Sequence, residues 1–149
     1  MKYNSIKPVQ ILLVDDDQGD IDLIMEILNE SKIKMEIEYV KNGIEALKYL
    51  KKENGYEDVT TPDLVLLDLN MPKKDGREVL EDIKSNEELK TIPVVILTTS
   101  KDNQDIAKSY AEGASCYITK PPGLEEFKKV VSSLENFWFT IVKFPEEDR

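Results

Sequence analysis

The sequence predicts an α/β protein: a doubly wound parallel sheet with helices on both faces. Three observations carry that reading. Short, continuously apolar runs recur along the chain, amphipathic stretches at helical spacing separate them, and the apolar runs stop abruptly at polar residues. Strands buried on both faces read as unbroken apolar runs rather than as an alternation. Strands that alternate with helices imply right-handed βαβ units.

Taken in order, the first strand is Val9 to Val14, which ends in Asp15, Asp16 and Asp17. A helix follows, with Ile21, Ile24, Met25 and Leu28 as its apolar stripe. Met35 to Val40 forms a weaker strand, and Ile44, Leu47 and Leu50 mark a second helix. Lys51 to Pro62 is a long polar loop with a turn signal at Asn54-Gly55. Leu64 to Leu67 is the third strand, ending in Asp68. Val79, Leu80 and Ile83 mark a helix that begins near Gly76. Ile92 to Leu97 is the fourth strand, ending in Thr98. Ile106, Ala107, Tyr110 and Ala111 form a fourth helix, with Gly113 placed for its C-terminal cap. Ser115 to Thr119 is a fifth, weaker strand followed by Lys120 and Pro121. The last helix runs through Phe127, Val130, Val131, Leu134, Phe137, Trp138 and Ile141. There is no repeat, low-complexity segment or linker, so residues 1–149 read as one domain.

Composition narrows the function classes. Thirty acidic residues against 20 basic give a net charge of -10. That argues against a nucleic-acid partner, which needs clustered positive charge. One cysteine, Cys116, excludes an internal disulfide and thiolate-rich metal sites. The absence of histidine removes His-based triads and imidazole acid–base chemistry. The first residues are polar, with no signal-peptide core. The apolar runs are far shorter than the roughly 20 residues that span a bilayer. A soluble, cytoplasmic protein without a membrane partner is expected.

In an open α/β sheet, ligands bind beyond the carboxyl ends of the strands. Here the first strand delivers Asp15 and Asp16, the third Asp68, the fourth Thr98, and the fifth Lys120. Crowded carboxylates repel one another, and a hard divalent cation such as Mg²⁺ offsets that repulsion with oxygen ligands. A lysine and a hydroxyl nearby suit a further anion, such as a phosphate. An ionised Asp in that setting can attack phosphorus and form an aspartyl phosphate. Each motif alone has a plainer reading. Three successive aspartates describe a solvated loop as readily as a metal site, and a strand ending in one acid is common. The joint pattern, with four strands each ending in a residue type the site requires, carries the argument.

Leu12-Leu13-Val14-Asp15-Asp16, Leu66-Leu67-Asp68-Leu69-Asn70-Met71-Pro72 with Asp75-Gly76, Ile96-Leu97-Thr98 and Lys120-Pro121 together resemble the response-regulator receiver family of two-component signalling. All motifs occur in order over about residues 9 to 135, with 30 residues from Asp68 to Thr98 and 22 from Thr98 to Lys120. The resemblance implies a flavodoxin-like fold of five parallel strands in the order 2-1-3-4-5 with five helices. It implies that Asp68 accepts the phosphoryl group. It makes Asp16 and Asp68 side-chain ligands of Mg²⁺, Asn70 a ligand through its backbone carbonyl, and Asp15 a ligand through water. Lys120 matches the phosphate-contacting cation, and its bond to Pro121 is typically cis in the family. Thr98 and Tyr117 match the switch pair, through which the fourth helix, fifth strand and fifth helix change shape. A half-buried Tyr117 with no switching role is the plainer alternative. The donor is then a sensor histidine kinase or histidine phosphotransfer protein, since this chain has no histidine. No output domain is expected after the fifth helix, so signalling would pass through docking.

Three features depart from the family pattern. Thr99 stands where a small residue is common, and Pro122-Gly123 extends the Lys-Pro corner. The stretch between Asp16 and Asp68 is long, mostly in the loop around Asn54-Gly55. That loop and an apolar C-terminus over 136–149, with Phe137, Trp138, Phe139, Ile141, Val142 and Phe144, resemble the single-domain response regulators paired with phytochrome-type kinases. Many of these dimerise through this region, so a homodimer is expected. A tail folded back on its own domain is the alternative.

Other readings fit less well. A pseudo-receiver that never carries phosphate has no need of the complete acid set and Lys120. Phosphatases and phosphotransferases with an aspartyl-phosphate intermediate usually carry a second acid two residues beyond the nucleophile, where this chain has Asn70, and an added cap. A flavin carrier would have its phosphate repelled by Asp15 to Asp17.

Overall fold

The computed structural model describes residues 8–30, 34–69, 76–98 and 116–119. Its elements alternate as expected: β1 (Val9–Val14), α1 (Gln18–Asn29), β2 (Met35–Val40), α2 (Gly43–Lys51), β3 (Leu64–Asp68), α3 (Gly76–Lys84), β4 (Val94–Thr98) and β5 (Cys116–Thr119). All strand pairs are parallel, and the sheet order is β2-β1-β3-β4-β5. The fold class and strand order are those expected. The fourth and fifth helices fall outside the described residues.

The central strands send alternate side chains to opposite faces. On one face Leu12, Val14, Val65, Leu67, Val94 and Ile96 pack with Ala46, Tyr49 and Leu50 of α2 and Val79, Leu80 and Ile83 of α3. On the other, Ile11, Leu13, Leu64, Leu66, Val95 and Leu97 pack with Ile21, Ile24, Ile27 and Leu28 of α1. Two apolar faces explain why β1, β3 and β4 read as continuous apolar runs. β2 is an edge strand, and its pattern is half-exposed, with Glu36 and Glu38 in solvent.

Two sequence expectations need correction. The fourth strand starts at Val94, not Ile92. The Ile92 amide donates to the Leu89 carbonyl at 3.0 Å, so Ile92 closes a turn while its side chain is buried in the core. Ile44 is not part of the apolar stripe of α2. It is 44% exposed, and the buried positions of that helix are Gly43, Ala46, Tyr49 and Leu50. Tyr49 was hidden from a purely aliphatic count of helical spacing. The expected polar loop spans 52–63 and is tied to the core. Tyr56 packs against Tyr49 with ring centroids 5.3 Å apart and ring planes tilted by 51°, and its hydroxyl donates to Glu45 at 2.7 Å. Val59 also packs against the core.

Candidate functional site

The carboxyl ends of β1 and β3 lie side by side. Val14 pairs with Leu67, so Asp15 and Asp68 each follow the last register pair of neighbouring strands. The Asp15 amide donates to the Val40 carbonyl at 3.1 Å, which extends the β1–β2 ladder one residue past the strand and fixes the Asp15 backbone. Carboxylate oxygens of Asp15, Asp16 and Asp68 all lie within 4.8 Å of one another. Asp15 and Asp68 are buried, at 0% and 5% exposure, while Asp16 faces solvent.

Local sequence explains the turn that holds this cluster. Asp17 has extended backbone and caps α1, its side chain accepting from the Gly19 amide at 3.0 Å. The same residue's amide donates to Asp15 Oδ1 at 2.9 Å. Asp17 thus separates in role from its two acidic neighbours: it shapes the loop and orients Asp15. The cap pattern before the apolar stripe of α1 was the signal for this role, masked by reading the three aspartates as one motif. Gly76 is a second residue whose role the sequence concealed. Its amide donates to the Leu69 carbonyl at 3.0 Å, bringing α3 directly against the end of β3.

Thr98 is adjacent to the cluster by register. Asp68 pairs with Leu97, so Thr98 lies one residue beyond that pair on the neighbouring strand. Thr98 pairs in turn with Thr119, and Tyr117 with Ile96, which sets Thr98 and Tyr117 two rungs apart on adjoining strands. Lys120, Asn70, the segment 71–75, Thr99 and the C-terminal residues from Phe137 to Phe144 lie outside the described residues.

The donor set at the sheet edge is all oxygen and all carboxylate, with like charges packed closely and two of them withdrawn from water. Such a set suits a hard divalent cation, which offsets the repulsion and keeps part of its water shell. Chemically, the edge offers the Asp68 carboxylate beside two further carboxylates that could hold a cation, next to the strand end at Thr98.

The family model of the response regulator receiver domain matches residues 11–132. The chain belongs to that family. Response regulator Rcp1 of Synechocystis sp. is 44% identical over 145 residues, spanning 97% of this chain and 99% of that protein. Among solved structures, the phosphorylated cyanobacterial phytochrome response regulator RcpA is 46% identical with a TM-score of 0.86. The Mn²⁺-bound form of response regulator Rcp1 is 45% identical with a TM-score of 0.85. Both similarities cover 93% of this chain and 99% of the other. The expected resemblance to phytochrome-associated, single-domain response regulators is borne out by these relatives. At the level of the receiver family, the function is phosphorylation-dependent signalling in a two-component system.

Proposed function

We propose that this receiver takes a phosphoryl group from a histidine kinase or histidine phosphotransfer protein onto Asp68, and that Mg²⁺ serves the reaction. The observation that carries this is the carboxylate cluster. Asp68 is almost buried at the end of a central strand, and Asp15 and Asp16 lie within 4.8 Å of it. Asp16 and Asp68 would hold the cation directly, Asp15 through water, and Asn70 through its carbonyl. The cation, when bound, supplies charge neutralisation for the transferring group.

The chain's residues do the rest. A carboxylate oxygen of Asp68 attacks phosphorus in line with the donor. The new O–P bond forms as the P–N bond of the phosphohistidine breaks, and the electron pair returns to the donor's imidazole. The amide of Asp17 keeps Asp15 turned into the cluster. Lys120 contacts the phosphate, and the Thr98 hydroxyl moves toward it, opening space for Tyr117. A changed surface around the fourth helix, fifth strand and fifth helix then alters docking. The protein acts by docking and is not an enzyme beyond its own phosphorylation and slow dephosphorylation. The alternative, a phosphorylation-independent interaction module, has no need of three converging carboxylates.

The relatives named for phytochrome support a phytochrome-type kinase as donor. Among the described residues no helix is long and apolar enough to cross a membrane, and a cytoplasmic location follows from a cytoplasmic kinase partner. Transfer of label from an autophosphorylated phytochrome-type kinase of the source organism tests the reading. Label should move to this chain within minutes and not to Asp68→Asn. No transfer from any histidine kinase of that organism overturns it.

We also propose one receiver unit, its core over about 9–135, with the C-terminal segment 136–149 joining two copies. Phe137, Trp138, Phe139, Ile141, Val142 and Phe144 cannot all face one core, since neighbours on a helix lie roughly 100° apart. Leaving each exposed forgoes about 1.5–3 kcal/mol. A two-fold partner presents the same patch and can cover it. Sedimentation of the wild type should show a dimer that Phe139→Glu/Val142→Glu disrupts. A wild-type monomer at concentrations on the order of 100 μM, well above the Kd of a stable complex, would contradict it.

A further inference from the structure

The outer face of α2 is basic and apolar on an acidic protein, and nothing in the phosphotransfer reading uses it. Ile44, Leu47, Lys48 and Lys51 recur at the spacing that places residues on one side of a helix. Ile44 is 44% exposed, one of only two large apolar side chains that are exposed among the described residues. Leu47 is half-buried beside it, and Lys51 is exposed. Lys41 lies just before the helix and Lys52 just after it, both exposed. Four lysines therefore lie along this face and at its two ends, outnumbering Glu45 and Glu53 in the same stretch of a chain whose net charge is -10.

Helix chemistry accounts for part of this arrangement. Lys48 and Lys51 sit in the last turn, where positive charge complements the helix dipole, and Lys48 pairs with Glu45 at 3.7 Å. It does not account for Ile44, nor for Lys41 at the positive end of the dipole. Lys52 is also placed against local preference. It is the C-cap in left-handed conformation, with φ 59° and ψ 48°, where glycine adopts that backbone without cost.

We propose that this face docks an acidic protein segment that places an apolar side chain on Ile44 and Leu47, with its carboxylates toward Lys41, Lys48, Lys51 and Lys52. Charge complementarity selects the partner. The net charge of -10 disfavours such a segment on the chain as a whole, and the four lysines of this face offer it a local attraction. A protein fits better than a nucleic acid, because the centre of the patch is apolar and the overall charge repels a phosphate backbone. The surface is separate from Asp68, so its failure would leave the phosphotransfer reading untouched.

The test is an NMR titration of the isotopically labelled full chain with a synthetic helical peptide of glutamates bearing a leucine at every third or fourth position. A glutamine version of the peptide serves as control. Shifts should map to residues 41–52, diminish as salt is added, and be lost in Ile44→Glu and in Lys48→Glu/Lys51→Glu. These positions are exposed or half-buried, and an unchanged spectrum elsewhere verifies folding of the variants. Equal shifts with the glutamine peptide, or shifts that survive Ile44→Glu, overturn the proposal. A silent peptide also overturns it, as do shifts at 41–52 caused only by single-stranded DNA or by anionic phosphatidylserine vesicles, which would reassign the face to a polyanion or a membrane.

Discussion

Gly76 closes directly onto Asp68. A Cβ at residue 76 would overlap the Asp68 carbonyl oxygen, and would stand 2.6 Å from Leu69 Cα and 2.9 Å from the Asp68 carbonyl carbon. Neither neighbour can yield, because both are backbone at the end of a buried central strand. The glycine lets α3 begin against β3, and the Gly76 amide secures this through the Leu69 carbonyl. The consequence for the site is that the peptide carrying Asp68 is held from two sides, by the sheet and by α3.

Replacing Gly76 with alanine should therefore destabilise the fold by about 1–3 kcal/mol, the usual cost of overpacking. Urea denaturation checks this through the midpoint. On the proposed function, the same variant should slow phosphorylation of Asp68 even under conditions where it is fully folded, because the Asp68 backbone is displaced. A midpoint and a rate both equal to wild type would show that the helix start is free to shift.

The long loop after α2 is anchored by one hydrogen bond whose strength depends on pH. The Tyr56 hydroxyl donates to Glu45 at 2.7 Å, and its pKa is pushed up from 10.0 to about 12, first by that bond, then by burial and by the charge of Glu45. A neutral acid with a raised pKa stabilises the fold fully below its unfolded value, and that contribution is lost as pH rises through the folded value. The anchoring should be complete up to about pH 10 and vanish through about pH 12. Tyr56→Phe should cost about 0.5–1.5 kcal/mol at neutral pH, and the gap from wild type should close at high pH. Denaturation midpoints at neutral and alkaline pH, with tyrosinate absorbance to follow ionisation, report both. No gap at neutral pH would mean that ring packing on Tyr49 and burial of Val59 hold the loop without the hydrogen bond.

Much of this was legible in the sequence, for identifiable reasons. β1, β3 and β4 are buried on both faces, so their composition reports burial directly. Asp15, Asp16, Asp68 and Thr98 were readable because each terminates such a run. Less was legible where one residue serves two purposes. Asp17 looked like a third acid, yet its amide orients Asp15 and its side chain caps α1. Ile44 looked like core because it is apolar at helical spacing, yet the buried side of the helix is made by Gly43, Ala46, Tyr49 and Leu50, and Ile44 lies away from it. Gly76 was readable as a helix start, but its backbone contact with Asp68 is tertiary and leaves no local mark. The roles of Lys120 and Tyr117 rest on their place in the motif.

The acid cluster should bind Mg²⁺ weakly in the absence of phosphate. Backbone NMR shifts at Asp15, Asp16 and Asp68 should respond to Mg²⁺ at concentrations on the order of millimolar, as for a cation that keeps several waters. Asp16→Asn should weaken the response, since it removes a carboxylate the cation would use without touching the buried pair. No response at these three residues would mean that the cluster is a structural feature only.

Labelling by a small phosphodonor tests the central claim most directly, because it needs no knowledge of the partner kinase. Incubation with acetyl phosphate and Mg²⁺, followed by mass spectrometry of the intact chain and its peptides, should show one added phosphoryl group on Asp68. It should be absent in Asp68→Asn and when Mg²⁺ is chelated. An added phosphoryl group that persists in Asp68→Asn, or a wild-type chain that takes none, would contradict the account.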